Sequence, residues 1–161
     1  SLEEVTTIVQ NFADNMATLS VAASGATNPS TGMEIAQVAA GCMEVGVGLH
    51  GEKGKSQSMK TAEETAGIML DALLEDLNVL PEEKLLVLVS GNGATSLMEQ
   101  LIVFRSCYAY LLEKGIEIVA SHVGNLMTIQ EMAGFEICIA RMNEELLDYW
   151  NAPCYTPYFK K

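Results

Sequence analysis

The chain has 161 residues, of which 49% are hydrophobic and 19% are charged, a balance typical of one globular domain. The net charge of −12 argues against binding to nucleic acid or to an anionic membrane surface, because both rely on Lys and Arg. No apolar run approaches the roughly 20 residues that span a bilayer, and no signal peptide is visible. The first residue is Ser1 rather than Met, so we expect the chain to begin after processing, cleavage or a tag.

The four cysteines are far apart in the sequence and lack the spacing of a metal site. Cys107 and Cys138 lie in apolar runs, where a thiol is usually a small core residue. This usage favours a reducing compartment, and we therefore expect a cytoplasmic protein.

Helical and strand patterns alternate along the chain. In the first half of the chain they predict a helix over 2–17, a strand over 19–23, a loop over 26–32, a strand from 43 to 50, a mobile polar segment over 53–58 and a helix over 61–77. In the second half they predict a strand over 85–89, a helix over 96–114, strands over 116–120 and 135–141, and a short helix over 143–148. The segment 33–40 is ambiguous, and an extended tail follows the last helix.

Two helix starts carry a capping box, in which a hydroxyl is followed three residues later by a carboxylate: Thr61 with Glu64, and Ser96 with Glu99. The run 85–89 is apolar without alternation, which predicts a strand that is covered on both faces. The whole pattern predicts an α/β fold with a mixed sheet, built as a single domain over residues 1–161.

The stretch 43–54 is the first candidate for chemistry. Apolar residues alternate up to position 49, and His50 then stands at the predicted end of the strand, before a glycine-rich turn. An imidazole held there is well placed for nucleophilic or proton-transfer chemistry, and Glu52, Glu44 or Glu131 could pair with it. A His beside glycines is also a common turn residue, so the pattern alone leaves both interpretations open.

Two further places have weaker signals. The run Gly91–Thr95 lies between a strand and a helix start, which suits an anion, but it lacks the Lys of a P-loop and the third glycine of a dinucleotide fingerprint. A plain strand-to-helix turn is therefore the better interpretation. His122 ends a strand near Asn125, and we interpret it as a structural, hydrogen-bonding residue. The residues by themselves form no complete catalytic set.

Several of these segments resemble a known family, the substrate-binding subunit (K domain) of the dihydroxyacetone kinases. The run Val45–Gly54 is similar to the family's strand and His-Gly-Glu-Pro-Gly turn, and Gly93–Glu99 to its Gly-Ala-Thr-Pro-Leu-x-Glu segment. The likeness continues, in order, through the residues Val123-Gly124, Thr128, Met132–Phe135, Trp150, Ala152-Pro153 and Thr156-Pro157.

The resemblance covers only the second half of the family's subunit. The family's Gly-Gly-Ser-Gly-His-Glu-Pro motif, a further His and a catalytic Asp belong to the first half and have no counterpart here. The resemblance therefore implies the C-terminal subdomain, a two-layer mixed sheet with helices. Lys53 replaces the turn proline, 129–131 replaces Ser-Leu-Asp, and the segment between Gly32 and Met33 is short.

By resemblance, His50 is the catalytic and substrate-binding residue, which forms a covalent hemiaminal with the carbonyl carbon of dihydroxyacetone before phosphorylation to dihydroxyacetone phosphate. No cofactor or metal is expected on this chain, whereas ADP or ATP and Mg would lie on a nucleotide-binding partner subunit. The other expected partners are an N-terminal-half chain and a second copy in a dimeric assembly. The resemblance leaves two alternatives: a non-catalytic co-activator that senses dihydroxyacetone, or a kinase component for another small ketose.

Overall fold

The computed structural model describes residues 1–48 and 52–161. In chain order, the elements within these ranges are α1 (Leu2–Asp14), β1 (Met16–Ala22), β2 (Ala26–Thr27), β3 (Glu34–Ile35), β4 (Cys42–Val45), β5 (Lys55–Ser58), α2 (Ala62–Leu77), β6 (Lys84–Gly91), α3 (Leu97–Glu113), β7 (Glu117–Val123), β8 (Gly134–Arg141) and α4 (Glu144–Asn151). Six strands form a sheet in the order β5-β4-β1-β8-β6-β7, and β2 pairs with β3 separately. Among the described strands of this sheet, β6 and β7 pair in parallel and the other pairs are antiparallel, so the predicted α/β fold with a mixed sheet is confirmed.

The main core lies between α2, α3 and one face of the sheet. Successive side chains of a strand point to opposite faces, so Leu85, Val87 and Val89 of β6 all face these helices and are fully buried. Ile137 and Ile139 of β8 join them in the same cluster. This burial supplies most of the hydrophobic stabilisation of the fold.

The opposite face is covered by helices at one end only. Leu86 and Ala140 point to this side and pack with Leu146 of α4 and with Ile8 and Phe12 of α1. The prediction that the run 85–89 is covered on both faces holds for Leu86, whereas Leu88 on the same face is half-buried and lines an open cavity. Beyond this cluster the same face of the sheet carries polar side chains, among them Ser20, Ser90 and Glu136, and the candidate site lies there.

The two predicted capping boxes are present. The Thr61 hydroxyl accepts from the backbone N–H of Glu64, whose carboxylate accepts in return from the N–H of Thr61, and Ser96 and Glu99 do the same at α3. At the other end of α2, Asn78 adopts a left-handed conformation with φ of 51°. These local signals fix the helix bounds within a residue of the prediction.

The predicted bounds at the start of the chain are wrong. The first helix ends at Asp14 rather than at 17, because the side chain of Asn15 bonds to the carbonyl of Asn11 and the next residues pair with β8. The strand predicted over 19–23 accordingly begins at Met16. Short strands β2 and β3 also occupy part of the predicted loop 26–32 and of the ambiguous segment 33–40.

The strand predicted to reach residue 50 is also wrong at its end. β4 stops at Val45, since Gly46 has φ of 88° and turns the chain although its N–H still bonds to Ser20. The segment 53–58, predicted to be mobile, contains β5, which pairs with β4. Its polar residues suit a strand that has one neighbour, because the edge of a sheet faces solvent.

Candidate functional site

The predicted site residue His50, with Leu49 and Gly51, lies outside the described residues. The structure does describe the residues on either side of it, up to Gly48 and from Glu52, and the strands β4 and β5 that they connect. Because Val45 pairs with Lys55, β4 and β5 form an antiparallel hairpin, and the segment that connects them is named loop 46–54. The loop leaves the sheet beside β1, to which β4 also pairs.

Gly48 and Gly54 allow close contacts between the two arms of this loop. The N–H of Gly48 donates to the carbonyl of Glu52 over 3.0 Å, which joins the two arms of the loop on either side of the undescribed residues. The side chain of Glu52 lies against the Cα of Gly48, where any Cβ would overlap its carboxylate. A Cβ at Gly54 would stand 2.7 Å from the carbonyl oxygen of Val45, so the neck of the loop also requires a glycine.

The three carboxylates considered as partners of His50 have different places. Glu52 is exposed on the loop itself. Glu44 lies on β4, opposite Ser56 of β5. Glu131 belongs to a different loop, where a hydrogen bond from the side chain of Thr27 lowers the pKa of its carboxyl. Pairing of any of the three with His50 stays a prediction.

An open cavity of about 460 Å³ adjoins the loop, on the sheet face opposite α2 and α3. Val47 and Gly48 form one wall, and Leu126 with Met127 forms another. Its floor is the sheet itself, where Glu136 points from the central strand β8. This volume lies within the range of about 300–1,000 Å³ that is common for small-molecule sites.

Glu136 is a residue that the sequence reasoning missed. The run 135–141 was predicted to be an alternating strand, and a carboxylate within such a strand was the available signal. In the structure Glu136 is half-buried, and burial raises the pKa of its carboxyl. The pKa of the neighbouring Cys138 thiol is also raised by burial.

The Gly91–Thr95 segment is a strand-to-helix turn, and two of its backbone amides already donate to neighbouring carbonyls. The N–H of Asn92 donates to Gly134 over 3.0 Å, and that of Ala94 donates to Met132 over 3.1 Å. The carboxylate of Glu99 accepts from the N–H of Ser96 at the helix start. These bonds use part of the amide cradle that a phosphate would need.

The same turn is hydrogen-bonded to the first residue of β8. The Thr95 hydroxyl donates to the carbonyl of Gly134 over 2.6 Å and accepts from its N–H over 2.9 Å. Gly134 has φ of 157°, and a Cβ there would overlap the carbonyl oxygen of Val21. Gly93 has φ of 117°, and a Cβ there would overlap the carbonyl of Gln130. Close backbone contacts therefore hold the loops next to the cavity.

His122 takes a packing role in the structure. It is half-buried on β7, and its ring meets that of Phe159 edge to face, with 5.2 Å between the ring centres. Tyr158, which precedes Phe159, donates a hydrogen bond to the carbonyl of Asn125. His122 thus helps to hold the C-terminal tail against the loop after β7.

Burial raises the pKa of the Cys107 thiol to about 12, which fits its predicted place in the core. In the ranges 1–48 and 52–161, no group of three or more His, Cys, Asp or Glu side chains is arranged to hold a metal ion. No helix in those ranges is long and apolar enough to cross a membrane.

Comparison with known proteins identifies the family. A family model described as the Dak1 domain matches residues 1–158. The chain belongs to the Dak1 domain family. Its resemblance to the dihydroxyacetone kinase K domain, inferred from the motifs around His50 and Thr95, is confirmed.

Among curated relatives of this Dak1 domain is a PTS-dependent dihydroxyacetone kinase, dihydroxyacetone-binding subunit DhaK, from Listeria innocua. It is 38% identical over 147 residues, which are 91% of this chain and 44% of the relative. A D-erythrulose kinase from Mycolicibacterium smegmatis is 37% identical over 89% of this chain and 25% of its own length. The Dak1 domain described here thus spans less than half of the length of these relatives.

Solved structures share the fold of this Dak1 domain. A dihydroxyacetone kinase operon co-activator, Dha-DhaQ, superimposes with a TM-score of 0.87 at 25% identity, over 95% of this chain and 48% of the co-activator. The dihydroxyacetone kinase from C. freundii in complex with AMP-PNP and Mg²⁺ superimposes with a TM-score of 0.76 at 26% identity, over 92% of this chain and 27% of the kinase. The solved structures that share this fold thus include a kinase and a co-activator.

Proposed function

We propose that this Dak1 domain is part of a dihydroxyacetone (glycerone) kinase and that it holds the ketose covalently through His50. The observation that carries the proposal is the glycine-framed loop 46–54, whose arms are joined by the bond from Gly48 to Glu52 and whose wall borders a cavity. The loop sequence matches the family's His-Gly-Glu turn. The name of the Listeria innocua relative, a dihydroxyacetone-binding subunit, supports the same ligand.

The chemistry follows from a neutral imidazole. Its unprotonated ring nitrogen attacks the carbonyl carbon of dihydroxyacetone and forms a C–N bond, while the π electrons of the carbonyl move to oxygen. That oxygen gains a proton and the other ring nitrogen loses one, so the product is a neutral hemiaminal. Glycerol has no carbonyl and cannot form this bond, which separates two molecules of similar size more sharply than shape could.

The covalent bond would also fix the reacting hydroxyl of the ketose for in-line attack on a phosphoryl donor. We place ADP or ATP and Mg on a nucleotide-binding partner subunit. The bonds that Asn92 and Ala94 already donate support this placement, because their turn is the place where the sequence suggested an anion site.

Exposed apolar side chains on α1 support the proposal that partner subunits bind this domain. Leu2, Val5 and Val9 of α1 are 57–83% exposed, although this helix packs on the sheet through its other face. Exposed apolar groups in such numbers are typical of surfaces that another chain covers. We propose an N-terminal-half chain of the K subunit, the nucleotide-binding subunit and a dimeric assembly.

The test uses dihydroxyacetone labelled with ¹³C at its carbonyl carbon. On addition of the assembled protein, we expect the ketone signal to be replaced by that of a tetrahedral carbon. His50→Ala should abolish this change, whereas His122→Ala, which removes the other His of the chain, should leave it intact. A ketone signal that persists in the saturated wild-type complex would refute the covalent step.

A co-activator that senses dihydroxyacetone is the second candidate, and it is favoured by the TM-score of 0.87 to the Dha-DhaQ co-activator. Mixing the assembled protein with a nucleotide-binding subunit and a phosphoryl donor separates the two functions. Formation of dihydroxyacetone phosphate establishes the kinase, while adduct formation without phosphate transfer favours the co-activator.

A kinase component for another small ketose is the third candidate. The D-erythrulose kinase among the relatives, at 37% identity, favours a four-carbon substrate. Phosphorylation rates measured in parallel with dihydroxyacetone and erythrulose would distinguish it from the first candidate.

A further inference from the structure

A polar row crosses the floor of the cavity beside loop 46–54. On the central strand, Glu136 lies directly between Ser20 of β1 and Ser90 of β6. The next pair of rungs places Thr18 beside Cys138 on the same face. This face is apolar farther along, where α1 and α4 cover it, so the polar side chains are confined to the uncovered part.

The hydroxyls of this row have different roles. Ser90 donates to the carbonyl of Met127 over 3.2 Å and accepts from the N–H groups of Leu126 and Met127, so it is fully used in fixing one wall. The hydroxyl oxygen of Ser20 accepts from the side chain of Asn92 over 3.4 Å. Within the part of the chain that the structure describes, no acceptor is bonded to its own hydrogen.

Glu136 is the group without a partner. Among residues 1–48 and 52–161, its carboxylate has no hydrogen bond or ion pair, although it stands on an internal strand and is half-buried. A carboxylate in such a place is stabilised by hydrogen-bond donors, and those that reach it from a ligand form strong charge-assisted bonds.

The chemistry of the cavity selects the class of ligand. A phosphate or carboxylate group would be repelled by Glu136, whereas hydroxyl groups would donate to it. Val47, Leu126 and Met127 offer apolar walls to carbon atoms. A short neutral polyol fits both features, and it would reach the cavity from the loop whose residues 47 and 48 form the wall.

We propose that Glu136 is a specificity-determining residue that accepts hydrogen bonds from the ketose hydroxyls on the carbons beyond the carbonyl. This inference rests on the proposed function, because it concerns the ketose that the proposed function assigns to this domain. It extends that function to a residue on the sheet, outside the loop.

The test compares three ketones on the full-length protein in its assembled form: erythrulose, dihydroxyacetone and 1-hydroxy-2-butanone. The last has the four-carbon skeleton of erythrulose without its two far hydroxyls. We expect Glu136→Gln to weaken erythrulose binding by about tenfold, as expected for the loss of a charge-assisted bond, and to leave 1-hydroxy-2-butanone nearly unaffected. The matched control is Glu117→Gln, on the exposed edge strand β7, which should change none of the three affinities.

Each outcome bears on the inference. A loss confined to the hydroxylated ketose supports it, provided that the tetrahedral ¹³C signal shows that the variant still folds and bonds the carbonyl. Equal losses for erythrulose and 1-hydroxy-2-butanone, or no loss, would overturn the role of Glu136 while leaving the His50 adduct standing. If the wild-type protein forms no adduct with any of the three, the proposed function fails and this inference fails with it.

Discussion

Glu136 and Glu64 show how the surroundings of a side chain set its charge. Burial on the sheet raises the pKa of Glu136, whereas hydrogen bonds from the backbone and side chain of Thr61 lower the pKa of Glu64. The second effect was predictable, because the capping box is a local pattern of four residues. The raised pKa of Glu136 was not predictable, because its burial depends on β1 and β6, which flank β8 but come from distant parts of the chain.

We predict that the thermal stability of Glu136→Gln depends on pH in a defined direction. The folded protein holds the proton of Glu136 more tightly than the unfolded chain, so this group favours folding at low pH and loses that contribution as pH rises through its raised pKa. The variant should therefore melt above the wild type at pH 7. The difference should shrink as pH falls below 4.5, the ordinary value for this carboxyl.

Glu64→Gln is the control of opposite sign for this prediction. Its lowered pKa contributes stability above the ordinary value and loses it in acid, so this variant should melt below the wild type at pH 7. Melting curves by circular dichroism between pH 3 and pH 8 would measure both. A Glu136→Gln variant that melts below the wild type at pH 7 would contradict the desolvation of this carboxylate.

At the scale of elements, Arg141 joins the end of the central strand to the end of α2. Its guanidinium donates to the carbonyl of Asn78 over 2.7 Å and to that of Leu77, and its Nε donates to Glu83 over 2.9 Å. The last carbonyls of a helix lack partners within the helix, and Arg141 donates to the carbonyl of the last helical residue and to that of the residue that caps the helix. A cation at this position also suits the helix dipole.

We predict that Arg141→Ala lowers the free energy of unfolding by about 2 kcal/mol, because charge-assisted bonds are lost and partly buried acceptors are left unpaired. Urea denaturation would measure the change. Arg105→Ala, at an exposed position of α3, is the matched control and should change stability by less than about 0.5 kcal/mol. Equal effects of the two substitutions would show that this connection contributes little.

Local signals predicted most helices and strands, but they could not predict which segments pair. The helices α2 and α3 begin where their capping boxes indicate. By contrast, the alternation of 43–50 predicted a longer strand, whereas β4 ends at Val45 because Gly46 turns the chain. The polar run that becomes β5 has no apolar periodicity of its own, so only its neighbour β4 defines it as a strand.

For the whole molecule, the proposed site depends on more chain than these 161 residues. Listeria innocua DhaK is 38% identical, yet the match covers 44% of its length, and the cavity beside loop 46–54 is open. We therefore predict that the 161-residue chain alone binds dihydroxyacetone at least about tenfold more weakly than the assembled protein, because the ketose would keep a face in water.

Isothermal titration of both forms with dihydroxyacetone would measure this difference. The circular dichroism spectrum of the isolated chain serves as the control, since it must show a folded α/β protein for the comparison to count. Equal affinity in the two forms would mean that residues 1–161 are sufficient to enclose the ketose.

The position of β8 affects how this fold can arise during translation. It occupies the middle of the sheet, between β1 and β6, yet it is the last strand along the sequence, at Gly134–Arg141. A ribosome must therefore release more than 130 residues before the two halves of the sheet gain their common neighbour. Until then β1 and β6 expose unpaired edges, and nascent chains halted before β8 should be the ones that chaperones retain.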